Sequence, residues 1–96
     1  MNTTWERVKN LEGHTLSTVT GRGQFEVIKV SDRKCQIRIQ SSQKERNVHR
    51  TEFDKAAELG PATSLTTALI RCSGASEYSP AYVLAILLAA ERNEAN

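Results

Sequence analysis

At 96 residues and 10.7 kDa the chain has the size of one domain (1–96) around one small core, and 39% hydrophobic with 25% charged residues is a globular balance, not a disordered, collagen-like, mucin-like or coiled-coil one. The longest apolar stretch, Ala81 to Ala90, has ten residues, about half of the roughly 20 that cross a bilayer core, and Met1 to Arg7 carries no apolar signal core, so the expected setting is the cytoplasm with no membrane segment. Formal net charge is +2 but unevenly spread: residues 1–50 hold ten basic side chains against five acids, a net of +5, and residues 51–96 hold three against six, a net of −3.

The first ten residues predict a short helix with Thr3 as N-cap, Glu6 as its capping-box partner, and Trp5 and Val8 on one side. Three β-rich runs follow. Thr15–Thr20 and Gln24–Val30 flank a Gly21-Arg22-Gly23 turn, and Ser31-Asp32-Arg33 leads into Lys34–Gln40. The last run alternates cleanly, so Cys35, Ile37 and Ile39 are expected inward, and Lys34, Gln36, Arg38 and Gln40 outward. Beyond the polar loop Ser41–Glu45, the stretch Arg46–Arg50 reads as a short edge strand whose one apolar residue is Val48.

From Thr51 the period becomes helical. Thr51 is the expected N-cap with Asp54 near N3, Phe53, Ala56 and Ala57 share a face, and Gly60-Pro61 ends the helix. Ser64 is a candidate cap for a second helix through Leu65, Ala68 and Leu69, although Thr66–Ile70 also fits a strand. The terminal helix has Ser79 as N-cap and Pro80 at N1, and runs to about Arg92. It is apolar nearly all round, which marks either a central buried helix or an oligomer interface. A β-meander followed by two or three helices is an α+β arrangement, with an antiparallel sheet of three or four strands covered on one face.

Chemistry needs particular groups at reachable spacing, and here the motifs are missing: no His-x-x-Glu-His, Cys-x-x-Cys, Gly-x-Ser-x-Gly, phosphate-binding loop or Gly-x-Gly-x-x-Gly. Cys35 and Cys72 read as small buried hydrophobes, and neither pairs with His14 or His49 at metal-ligand spacing. The sequence therefore predicts a non-catalytic protein without metal or cofactor. Its most concentrated basic run is Arg33 to Arg50, where Arg33, Lys34, Arg38, Lys44, Arg46 and Arg50 stand against Glu45 alone, with His49 among them as a further ionisable side chain. Such a run either binds a polyanion or keeps a sheet edge soluble; clustering of the six on one face favours the first reading and dispersal the second.

The order Leu11-x-Gly13-x-x-Leu16-x-Thr18, Phe25-x-Val27-x-x-Val30, Arg46-x-Val48-x-Arg50, then Tyr82-Val83 with Ala85-Ile86-Leu87, resembles small uncharacterised domains of restriction systems and other bacterial mobile elements, including integron cassette proteins. The resemblance spans about residues 11–88. It implies a bacterial mobile-element protein with nucleic acid as the leading partner class, and assigns no functional residue.

Two functions follow as expectations. In the first, the six bases contact DNA or RNA phosphates from the sheet face and its loop; no aromatic stands at an outward strand position, which favours backbone recognition over base stacking. The alternative is a homodimeric interaction or scaffold module joined through Tyr82, Leu84 and Leu88 of the terminal helix.

Overall fold

The computed structural model describes residues 4–18, 23–75 and 80–94. Helix α1 (Thr4–Lys9) precedes four strands, β1 (Thr15–Ser17), β2 (Gln24–Val30), β3 (Lys34–Ile39) and β4 (Glu45–His49). Helix α2 (Arg50–Glu58), a 3-10 turn (Ala62–Ser64), α3 (Thr67–Cys72) and α4 (Pro80–Glu94) follow. The strands form one antiparallel meander in the order β1-β2-β3-β4. Helices cover one face of it, so the fold is α+β as the sequence predicts.

Burial alternates along the strands because successive side chains leave a pleated backbone on opposite sides. In β3, Cys35 and Ile37 are buried and Ile39 is half-buried against Phe25, whereas Lys34, Gln36 and Arg38 lie on the open face. Strict alternation in β2 would carry Lys29 inward after Phe25 and Val27. Instead the register shifts between Val27 and Lys29: Ile28 is the extra residue of a bulge, Lys29 pairs with Gln36 on the open face, and Val30 returns to the core opposite Cys35.

Helix α4 is the central helix, packed on α1, α2, α3, the 3-10 turn and β1. Val83, Leu84, Ala85, Ile86, Leu87 and Ala90 are buried, which accounts for a helix apolar on nearly every side. Tyr82 reaches the sheet, its ring meeting Phe25 edge-on at 5.1 Å. Trp5 and Val8 bury together as their spacing predicts, and Trp5 packs on Phe53 with ring centres 5.4 Å apart.

Several boundaries differ from the sequence reading. Helix α2 starts at Arg50 with His49 as N-cap, two residues earlier than a Thr51 cap, because the His49 N–H donates to the Glu52 carboxylate (2.9 Å). Gly60 then ends the helix in a positive-φ conformation (142°) that glycine tolerates. Thr66, not Ser64, caps α3: its hydroxyl accepts from the Leu69 N–H (3.0 Å), and this bond settles Thr67–Ile70 as helix. Strand β1 ends at Ser17, while Val19 to Arg22 and the expected caps Thr3 and Ser79 lie outside the described residues. Cys35 is buried, but Cys72 is exposed at the end of α3, which turns Ile70 to the core instead. Among the described residues, no helix is long and apolar enough to cross a membrane.

Candidate nucleic-acid interface

Strand pairing decides where each base of the Arg33–Arg50 run points, since residues directly opposite in an antiparallel pair share a face. Lys34 pairs with His49 and Arg38 with Glu45, all on the open face. Arg46 pairs with the buried Ile37, which puts it on the helix side, and its guanidinium sits 5.8 Å from the centre of the Tyr82 ring. Arg50 also turns to the helix side, 5.6 Å from the centre of the Trp5 ring. Lys44 lies in the β3–β4 turn, at the far end of β3 and roughly 17 Å from Lys34 at 3.3 Å per residue. The six bases therefore do not share one face, and for the run as a whole this dispersal favours a soluble sheet edge over a single polyanion-binding face.

The middle of the open face is a polar network more than a basic one. Glu45 accepts from Gln36 (2.6 Å) and Arg38 (3.1 Å), so the Arg38 charge is already met by a carboxylate. The opposite holds at the β2–β3 turn. There Ser31, Asp32, Arg33 and Lys34 meet His49, Arg50 and Thr51 at the start of α2, and together they line a shallow hollow that also includes Asp54. Lys29 and Lys34 wall its extension along the open face. Helix α2 begins at the hollow, and its N-terminal partial charge has the same sign as these bases.

The turn is held from three sides. The Trp5 indole Nε1–H donates to the Ser31 carbonyl (3.0 Å), Lys9 reaches Asp32 at 2.6 Å, and the Arg50 main-chain N–H donates to the Arg33 carbonyl (2.8 Å). Within the turn the Ser31 hydroxyl accepts from the Arg33 and Lys34 N–H groups at 3.4 and 3.3 Å. The Arg50 guanidinium is anchored as well, by the Asp32 carbonyl (3.4 Å) and the Asp54 carboxylate (3.7 Å). Lys9 holds the Asp32 carboxyl below its ordinary value, first by the hydrogen bond and then by its charge. By contrast the exposed side chains of Arg33 and Lys34 make no hydrogen bond or ion pair among the described residues. They project from a fixed backbone with their donors facing solvent.

Of the six predicted binding residues, the structure places Arg33 between Lys34, on the open face, and Arg50, on the helix side, and leaves Arg38, Lys44 and Arg46 elsewhere. Beside them stand His49, which the same run contains, and Lys29, which lies outside it, while Lys9, also outside the run, is paired with Asp32 beneath. Lys29 joins through the bulge, whose one sequence trace is the adjacent apolar pair Val27-Ile28. Of the three helix residues expected at a dimer interface, Leu84 is 2% exposed and belongs to the protein's own core, while Tyr82 and Leu88 keep part of their surface. Among the described residues no three His, Cys, Asp or Glu side chains gather as metal ligands. No family model matches the sequence, and comparison with curated proteins and with solved structures finds no match either.

Proposed function

We propose that this protein is a non-catalytic nucleic-acid-binding module that grips the phosphate backbone at the hollow between the β2–β3 turn and the start of α2. The observation that carries the reading is the pair Arg33 and Lys34: two solvent-facing cations on a turn immobilised by Trp5, Lys9 and Arg50. The turn backbone needs no ordering on binding, so the cost that remains is that of the two side chains, and phosphate contacts of this kind give salt-sensitive, sequence-independent affinity. Strand positions on the open face hold no aromatic side chain among the described residues, which favours backbone over base-stacking recognition. The resemblance to mobile-element domains implies a bacterial setting for the same proposal, and the lack of an apolar signal core in Met1 to Arg7 fits a cytoplasmic one.

The test is a titration of labelled duplex DNA, single-stranded DNA and RNA at two salt concentrations, with the wild type and an Arg33→Glu, Lys34→Glu double variant. The expected result is salt-sensitive binding that the double variant loses. Absence of binding at the lower salt, or binding that survives the double charge reversal, overturns the proposal.

A further inference from the structure

The open face of the sheet is sorted by charge along its strands. Towards the β3–β4 turn, Arg38 is paired across the strands with Glu26 on β2 and Glu45 on β4, two carboxylates against one base. The next row sets the uncharged Gln36 between Asn47 on β4 and Lys29 on β2. The last row, at the β2–β3 turn, sets Lys34 opposite His49. A polyanion therefore meets attraction at the turn end of this face and repulsion towards its other end.

Lys29 reaches the open face only because Ile28 forms the bulge, which makes it a diagonal neighbour of Lys34. Such neighbours have Cα atoms about 7–8 Å apart, within reach of long side chains. Both lysines are exposed, and neither makes a hydrogen bond or ion pair among the described residues. The extension of the hollow between them is lined by Lys29, Ser31, Lys34 and Gln36, with no carboxylate. Glu12, on the flank of β2, is engaged by the Val30 N–H at 2.9 Å. Two like charges held as neighbours repel each other, and an anion seated between them reverses the sign of that interaction. The other way out of the hollow, along α2, meets the Asp54 carboxylate, which holds the Arg50 guanidinium at 3.7 Å.

We infer that a bound nucleic acid leaves the hollow across the end of the open face, from Arg33 over Lys34 to Lys29, and that Lys29 is a third phosphate-binding residue. The inference rests on the nucleic-acid reading of the hollow and adds to it the direction in which the phosphate chain runs. Three cations on one track set the slope of log affinity against log salt at about −2.7 for a duplex and about −2.1 for a single strand, against about −1.8 and about −1.4 for Arg33 and Lys34 alone.

The test measures that slope over a series of salt concentrations, with labelled duplex and single-stranded DNA, for the wild type, Lys29→Gln, Lys29→Arg and Lys55→Gln. Lys55 is the exposed base of α2, along the other route. Lys29→Gln keeps a long polar side chain on the strand and should shallow the slope by about one counterion. Lys29→Arg should restore the wild-type slope, and Lys55→Gln should leave it unaltered. An unaltered slope in Lys29→Gln, with binding that the Arg33→Glu, Lys34→Glu variant still loses, overturns the track and leaves the hollow standing. Shallowing in Lys55→Gln overturns the direction and turns the chain along α2. Absence of wild-type binding at the lowest salt removes the hollow reading and this inference with it.

Discussion

Arg46 is stacked over Tyr82, its guanidinium carbon 5.8 Å from the ring centre, on the side of the sheet that the helices cover. This contact joins the edge strand to the central helix and separates Arg46 from the bases it accompanies in sequence. Two consequences can be measured together. Arg46→Ala should cost about 0.5–1 kcal/mol in urea denaturation, the range of an exposed cation–π contact, and leave the salt dependence of nucleic-acid binding unaltered. Arg33→Ala and Lys34→Ala should each shallow the slope of log affinity against log salt by about one counterion. Equal slopes for all three variants would contradict the assignment of the hollow.

Trp5 is the one tryptophan of the chain and is 3% exposed, so its fluorescence reports on a single buried place. That place is the underside of the candidate site: the indole bonds the Ser31 carbonyl, and Arg50 lies over the ring. Trp5→Phe keeps an aromatic ring against Phe53 but leaves the Ser31 carbonyl without its donor, which should lower stability by about 1–3 kcal/mol. In the wild type, an oligonucleotide bound at the hollow should change the emission of Trp5, and in the Arg33→Glu, Lys34→Glu variant it should not.

How much of this was open to a reader of the sequence follows from which interactions are local. Strand β3 was legible because Cys35, Ile37 and Ile39 alternate with polar residues, and α4 because Pro80 opens an apolar run that Glu91 ends. The two-layer arrangement follows from those patterns. The caps were less legible, since His49 and Thr66 were selected by which main-chain groups met Glu52 and Leu69, and several neighbouring residues had equal capping ability. The orientation of Arg46 was in fact encoded: Val48 must face inward, and a period of two carries Arg46 to the same side. What the sequence did not contain was the partner. Tyr82 lies 36 positions from Arg46 and Trp5 lies 45 from Arg50, and only the packing of α4 and α1 brings these rings under the two guanidinium groups.

Asp32 gives a prediction in acid. Lys9 lowers its carboxyl from the ordinary 3.8 through a hydrogen bond and through charge, so the folded protein holds the ionised form more strongly than the unfolded chain does. The stability linked to this pair is therefore present above pH 3.8 and is lost as pH falls through the lower folded-state value. Carboxyl chemical shifts should show Asp32 titrating below 3.8 in the wild type and moving back toward it in Lys9→Met. A titration midpoint that does not respond to Lys9→Met would remove Lys9 as the cause.

The two cysteines should separate cleanly. Cys35 is buried between sheet and helices, and burial, with the Glu12 carboxylate adding to it, pushes its thiol from 9.0 up to about 12. Cys72 is exposed. A thiol reagent should modify Cys72 rapidly in the native protein and Cys35 only on unfolding. In base the unfolded chain releases the Cys35 proton first, so its contribution to stability is whole below pH 9 and is lost as pH rises from 9 toward 12. Cys35→Ala should flatten the fall in stability over that range relative to wild type, and parallel pH curves for the two proteins would show that Cys35 is not responsible.

Glu45 offers the sharpest separation between a basic sheet face and a basic hollow. Its carboxylate accepts from Gln36 at 2.6 Å and from Arg38 at 3.1 Å, and both donors lie on the open face beside β4. If Arg38 contacted phosphate, it would first have to leave Glu45, and Glu45→Gln would release it and steepen the salt dependence by about one counterion. If the hollow carries binding, Glu45→Gln removes one negative charge away from the bound strand. Affinity then rises slightly at low salt, by an amount that fades within a Debye length of about 8 Å at physiological ionic strength, and the slope stays as it was. Arg38→Ala should behave in the mirror sense, with slightly weaker binding and an unaltered slope. The arrangement of Arg33 and Lys34, free on a clamped turn while Arg38 is paired, predicts the second pattern for both variants. Steepening in Glu45→Gln together with shallowing in Arg38→Ala would move the phosphate track from the hollow to the centre of the sheet.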